Sequence, residues 1–387
     1  MIRPIYLDYN ATTPHAPEVI EAMRPFLEVE FGNPSSSHWY GIAPKKAVIR
    51  AREQVAASIY CKPFEILFTS GGTESNNHAI RWAATANAHK GKHLITSQVE
   101  HPAILSVFAF LEKNGFRGTY VPVDSDGLVR VEDVEKAITP ETILISIMHA
   151  NNEVGTIQPV REIAAVARKH GILMHTDAAQ TIGKIPVGVN ELGMDLLSIA
   201  GHKIYAPKGV GALYVRESCA IEPMFHGAGQ EMGRRPGTEN VLGVVGLGAA
   251  CEIAKRDLVS NMNHMKEMRD RLFRGLAESL KGIRLNGDPE KRLPNTLSLS
   301  FRDIEANSLL EEIGLEVAAS AGAACHSDRM DISHVLKAMN VPLDFAKGTI
   351  RFSTGKMTTV QEIDRAVQVV IQGVNTLRKK RQPPWST

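Results

Sequence analysis

The chain has 387 residues, with 44 Lys and Arg against 42 Asp and Glu and a formal charge of +2. That length allows two domains with sizeable cores, and the near-neutral balance gives no overall field for a polyanion. Four cysteines, Cys61, Cys219, Cys251 and Cys325, stand far apart with no C-x-x-C pair, which argues against a disulfide framework or a zinc site built from neighbouring cysteines.

The N-terminal "MIRPIYLDYNATT" lacks the apolar run of a secretory signal, and no later stretch approaches the ~18 apolar residues of a membrane span. A soluble protein of a reducing compartment, the cytoplasm, is expected. From residue 65, short β-branched or apolar runs alternate with helical periodicity. Residues 65–70, 92–97, 119–123, 143–150, 172–178, 196–202 and 211–215 read as strands. Segments such as "EVGTIQPVREIAAVARKHG" place a helix between them with a glycine stop. This alternation predicts an α/β fold with a largely parallel sheet covered on both faces, its functional groups beyond the carboxyl ends of the strands. After about residue 258 the pattern changes to a long helix, the strand-like "TLSLSF" and "TIRFST", and a final helix. The division expected is a large domain over 15–258 and a smaller α/β domain formed by 1–14 with 259–387. The basic "LRKKR" near the end reads as a solvated helix terminus, and no direct nucleic-acid or membrane binding is expected.

Five groups fall at successive predicted strand ends. Lys203 follows "LLSIAGH" and is flanked by glycine, where a lysine can be held and desolvated for Schiff-base chemistry; a surface loop lysine is the plainer alternative. Asp177 ends the strand before it, and fits either a partner for a pyridinium nitrogen or a helix N-cap. Gly71, Gly72 and Thr73 lie between a strand and a helix, a backbone arrangement suited to a phosphate. His101 follows another strand and has the chemistry to stack on a ring and shuttle protons. Asn151 and Asn152 follow a fourth, where turn formation is the alternative. Each group has a structural explanation, but their convergence on one sheet edge is hard to explain that way.

In combination and order, "YLDYNATTP", "FGNPSS", "FTSGGTESNN", "EHPA", "MHANNEVGTIQP", "HTDAAQ", "GHKIYAPKGVGAL", "RRPGTEN", "SAGAACHSD" and "IRFSTGK" resemble the cysteine desulfurases. These are pyridoxal-phosphate (PLP) enzymes of the class-V aminotransferase type, with the fold type I architecture: a mostly parallel seven-stranded sheet and a smaller α/β domain. The resemblance implies that Lys203 carries PLP as a Schiff base and that Asp177 pairs with the pyridine nitrogen. Gln180 and Asn152 would lie near the ring hydroxyl or the substrate, and His101 would stack on the ring and act in proton transfer. Gly72, Thr73 and His202 would hold the phosphate. Thr238 would reach the phosphate of a partner subunit, so a homodimer is expected. Arg351 and Asn33 would bind the substrate carboxylate, and no metal is implied.

Two departures stand out. Relatives carry Ser-x-Ser-x-His-Lys before the lysine, and Ala200 here replaces the second serine. His326 follows Cys325 where many desulfurases have threonine, and selenocysteine lyases show a similar "ACHS".

The expected reaction has L-cysteine bind at PLP, its sulfur pass to the Cys325 thiolate as a persulfide, and L-alanine leave. The sulfur would go on to an acceptor such as an iron–sulfur scaffold or a thiolation enzyme. The rivals are a selenocysteine lyase acting on L-selenocysteine and a catalytically idle scaffold for a sulfur-relay partner. The small residues around Cys325 would suit a loop that carries sulfur outward. Cys61, Cys219 and Cys251 read as packing residues.

Overall fold

The described residues form thirteen strands: β1 (Ile5–Tyr6), β2 (Ile66–Thr69), β3 (His93–Ser97), β4 (Arg117–Val121), β5 (Thr142–Ser146), β6 (Leu173–Asp177), β7 (Leu196–Ala200), β8 (Gly211–Val215), β9 (Ile283–Asn286), β10 (Thr296–Phe301), β11 (Val317–Ala318), β12 (Ser320–Ala321) and β13 (Thr349–Ser353). They belong to a computed structural model that describes residues 3–321 and 332–381. All seven runs read as strands between residues 65 and 215 join one sheet, in the order β2-β8-β7-β6-β5-β3-β4.

Burial on both faces explains why these runs, the half-exposed edge strand β4 apart, carry apolar residues at consecutive positions. In β7, Leu196 packs into a cluster with Leu94, Phe108 and Leu213, while Leu197 and Ile199 enter a second cluster on the opposite face with Ile145, Ile163 and Leu247. The alternation follows from the two-residue period of a strand. Helices Gly72–Ala86 and Pro102–Lys113 cover the first face; Trp39–Ser58, Val160–Lys169 and Val241–Arg256 cover the second. The Trp39–Ser58 and Val241–Arg256 helices approach closely, since a Cβ on Gly248 would come within 2.6 Å of Ala51 Cα.

β3 to β7 pair in parallel, as expected, but β8 runs antiparallel to both β7 and β2. The reason is length. Only residues 201–210 join β7 to β8, too few for the dozen or more that a parallel crossover needs. That short link holds Gly201–Lys203 directly above the sheet edge.

The second sheet is antiparallel in the order β12-β13-β10-β9, and helices Leu258–Ser279, Ala306–Ile313 and Val360–Arg381 supply much of its core. The N-terminal segment joins this part: β1 pairs with β11, and Asp8 bridges to Ser353. No helix among the described residues is long and apolar enough to cross a membrane.

Candidate active site

A cavity of about 300 Å³ opens beyond the carboxyl ends of β6 and β7, at the lower end of the ~300–1,000 Å³ range of small-molecule sites. Gly72, Thr73, His101, Asn152, Asp177, Gln180, His202, Lys203 and Arg351 all line it. Nine residues read from separate segments of the sequence therefore share one space.

Lys203 sits in the single helical turn after β7, and its Nζ donates to the main-chain oxygens of Asn10 and Ala11, the latter at 2.7 Å. Burial, then the nearby Arg351 charge, lowers its pKa to about 8, partly opposed by Asp8 and Asp177. An amine so placed is a competent nucleophile near neutral pH. Asp177 ends β6, where its Oδ2 accepts from Asn76 Nδ2 at 2.7 Å and its Oδ1 from the Ala179 N–H at 2.9 Å. No helix follows Asp177 directly, so it caps a turn and not a helix, and its carboxylate lines the cavity.

Gly71 precedes the Gly72–Ala86 helix with φ 151° and offers no side-chain cap. The first-turn N–H groups therefore stay free for an anion, and Gly72 lets the helix start against Ala200, whose Cβ would lie 3.3 Å from an added Cβ. His202 donates or accepts at Nδ1 with Thr12 Oγ1 at 3.2 Å. Burial and the neighbouring Lys203 and Lys208 charges hold its ring down to about 4.

His101 caps the Pro102–Lys113 helix, its Nδ1 accepting the Ala103 N–H at 3.1 Å. Desolvation lowers its pKa against the pull of Asp177, so the neutral ring carries its proton on Nε2. Arg351, on β13, donates from Nη2 to Asp8 Oδ1 at 2.7 Å and from Nη1 to Asn152 O at 3.1 Å, and its buried Nε has no partner among the described residues.

Residues 5–366 match the family Aminotransferase class-V. A curated relative, "Cysteine desulfurase IscS" of Dictyoglomus turgidum, is 50% identical over 98% of this chain and 96% of its own length. The chain is a PLP-dependent cysteine desulfurase. A solved structure titled "NIFS-LIKE PROTEIN" superposes with a TM-score of 0.91 at 40% identity, covering 97% of this chain and 100% of that one. Another, titled "SspA in complex with cysteine", reaches a TM-score of 0.80 at 36% identity over 92% of this chain and 100% of its own. These names favour the desulfurase over the selenocysteine lyase reading.

The desulfurase cavity suits PLP on its own features. It joins a helix N-terminus free for a phosphate, a carboxylate for a ring nitrogen and a desolvated amine for an aldehyde. Asn76 adds a buried Oδ1 with no partner in the described structure. Two expected site residues lie elsewhere. Thr238 and Asn33 are exposed and outside the cavity lining, and Asn33 Oδ1 accepts from the Ser35 N–H at 2.9 Å. Cys325 falls outside the described residues.

Several groups at the site carried no sequence-level assignment. Asn76 orients Asp177, Asp8 holds Arg351, and Asn10 accepts from Lys203. Glu100, behind His101, is fully buried, accepts from Ser97 Oγ at 2.6 Å and is raised to about 8 by burial. The signal for Asn76 was its place one turn into the glycine-started helix. For Asp8 and Asn10 it was the motif "YLDYNATTP", whose partners lie too far along the chain to be read.

Proposed function

We propose that this desulfurase uses Lys203 to hold PLP covalently, Asp177 to keep its ring nitrogen protonated, and Cys325 to receive the substrate sulfur. The observation that carries the reading is the meeting of Lys203, Asp177 and the Gly72–Thr73 helix start in one cavity. When bound, PLP supplies an electron sink for the carbon skeleton of the amino acid. The free first-turn N–H groups, Thr73 and His202 hold a phosphate there. Neutral His202 adds no charge of its own, so the helix terminus dominates that contact. Arg351, already turned toward the cavity by Asp8, pairs with the substrate carboxylate. His101 covers the ring and moves a proton at Nε2, while Gln180 and Asn152 meet its polar edge.

The sulfur transfer balances without an added oxidant. Cys325 Sγ forms a bond to the cysteine sulfur, the Cβ–S bond breaks, and the carbon skeleton keeps the electron pair and takes up a proton as alanine. The nucleophile must be a thiolate. Burial raises Cys61 to about 12, Cys219 to about 11 and Cys251 to about 12, so none of the three is ionised near neutral pH. Both flanks of segment 322–331 lie beside the cavity: Ser320 pairs with Arg351, and His334 Nε2 bonds Glu100 O at 2.9 Å. These contacts support the assignment of Cys325 to this cavity.

The wider reading assigns residues 15–258 to a cofactor-binding domain, and 1–14 with 259–387 to a smaller domain bringing Arg351 and Cys325. It makes the protein a cytoplasmic homodimer that passes sulfur to an iron–sulfur scaffold or a thiolation enzyme. Thr238 is exposed and outside the lining of its own cavity, as suits a residue completing the phosphate site of a second copy. Exposed Phe31 and Trp39, at 80% and 74%, suit an interface between copies. Asn33 is assigned to the substrate carboxylate with Arg351. The test is Cys325→Ala, assayed for alanine formed from cysteine and for label left on the protein from ³⁵S-cysteine. Both should be lost, whereas Cys251→Ala keeps both; full turnover by Cys325→Ala would remove that thiol from the mechanism.

A further inference from the structure

A second lysine lies close to the active site, and the reaction as derived gives it no part. Lys184 is 5% exposed and sits in the turn that follows Asp177 and Gln180. Its Nζ donates to Gln180 Oε1 at 2.8 Å and to Asn10 Oδ1 at 3.1 Å. Burying a charged amine in this way is costly, and desolvation pulls its pKa well down, with Lys203 and Arg351 adding to the effect. A lysine serving only to fill space would be expected to give way to an apolar side chain.

The chemistry of the amine settles what it does to its neighbours. Lys184 donates through its N–H groups, so both amides must turn their oxygens toward it. For Gln180 this leaves the NH₂ group on the other side: one N–H goes to Asn10 O at 3.0 Å, and the second is left for an acceptor in the cavity that Gln180 lines. For Asn10 the oxygen also receives Asn295 Nδ2 at 2.9 Å, and its own Nδ2 donates to Asn152 O at 3.1 Å and Thr296 Oγ1 at 2.8 Å. The main-chain oxygen of that same Asn10 accepts from Lys203. One buried amine, acting with the main-chain oxygens of Asn10 and Asn152, thus fixes the flip state of two amides at the edge of the cofactor cavity.

We propose that Lys184 is a positioning residue: by holding Gln180 Oε1 and Asn10 Oδ1 it makes Gln180 present a donor, and not an acceptor, to the anionic ring oxygen of PLP. The proposal rests on the reading that Gln180 meets the cofactor. An amide free to flip would offer its own oxygen to that anion for part of the time, and the like-polarity contact would weaken binding.

The test is a double-mutant cycle on PLP binding to the apoenzyme, read by spectroscopic titration, with Lys184→Met, Gln180→Ala and the double variant. Each single change should weaken PLP by about tenfold, the worth of one hydrogen bond to a charged oxygen, and the double variant should be no weaker than either. The pH midpoint of the bound cofactor's visible band should rise in both single variants, since Gln180→Ala removes the donor from the anionic oxygen and Lys184→Met lets that donor turn away. Lys184→Arg, which keeps its donors, should recover part of the affinity lost in Lys184→Met. Unchanged affinity in Lys184→Met, or independent losses that multiply in the double variant, overturns the role of Lys184 while leaving Gln180 at the cofactor. Unchanged affinity in Gln180→Ala overturns both. If Lys184→Met apoenzyme shows no cooperative melt, the same cycle with Lys184→Leu, which likewise lacks a donor, is judged by the same outcomes.

Discussion

β6 and β7 bring Asp177 and Lys203 to the cavity from inside a sheet covered on both faces, whereas β13 brings Arg351 from a four-stranded antiparallel sheet that the N-terminal segment helps to complete. In the first region the site is a consequence of strand order: consecutive parallel strands end at one edge, and whatever follows each strand meets there. In the second, Arg351 depends on pairings between distant parts of the chain. Its register partners are Ser298 and Ser320, and its guanidinium is held by Asp8. On the proposed assignment, the large sheet therefore fixes the cofactor groups locally, and the small one adds a substrate group through long-range contacts.

Substitutions on the two sides should fail differently. Lys203→Ala removes the covalent attachment point, and alanine formation should fall on the order of 10⁴-fold or more, with the visible band of bound PLP gone. A coloured, active Lys203→Ala protein is incompatible with this site. Asp177→Asn keeps the shape but loses the charge that holds a ring proton; a drop on the order of 10²–10³-fold in kcat is expected, measured by steady-state alanine production. A kcat within a few-fold of the parent would mean the ring nitrogen has another partner.

Arg351→Met tests the small sheet. If that sheet mainly supplies carboxylate recognition, KM for cysteine should rise roughly 10- to 100-fold, the worth of charged hydrogen bonds, with the smaller change in kcat. Loss of the Arg351 charge should also raise the Lys203 pKa above about 8, so apoenzyme should react with PLP at a more alkaline midpoint. A fall in kcat alone, with KM and midpoint unmoved, would erase the proposed division between the two sheets.

The smallest effect concerns pH and the large sheet alone. Folding holds His93, His149 and His202 down to about 4 and His175 to about 3, mainly through burial, against an ordinary 6.5. Between those values the unfolded chain binds more protons, so stability is lost as pH falls from about 6.5 to 4. Glu100 works the other way: raised to about 8, it favours the folded state at low pH and costs stability as pH rises from 4.5. Four histidines outweigh one glutamate, so the melting temperature of the apoenzyme should climb from pH 4 to pH 6.5. His175→Asn should flatten that climb; an unchanged slope would show that His175 does not drive it.

The sequence was most readable where local pattern and tertiary position coincide. Six of the seven runs are strands buried on both sides, β4 at the sheet edge being half-exposed, and Asp177, His101 and Lys203 could be found because each stands at or just past the end of its strand. The antiparallel course of β8 was not foreseen; it follows from a link too short for a crossover. Asp8, Asn10 and Lys184 were missed because their meaning lies in partners: Asp8 finds Arg351 across 343 positions, and Lys184 matters only through the amides it turns. No periodicity encodes such contacts.

Two buried lysines with lowered pKa values stand near this cavity, and only Lys203 lines it. Borohydride reduction of the holoenzyme, followed by peptide mass mapping, reports which of them carries the cofactor. The account predicts a phosphopyridoxyl group on the Lys203 peptide and none on Lys184. Label on Lys184, or on any lysine other than Lys203, would contradict it.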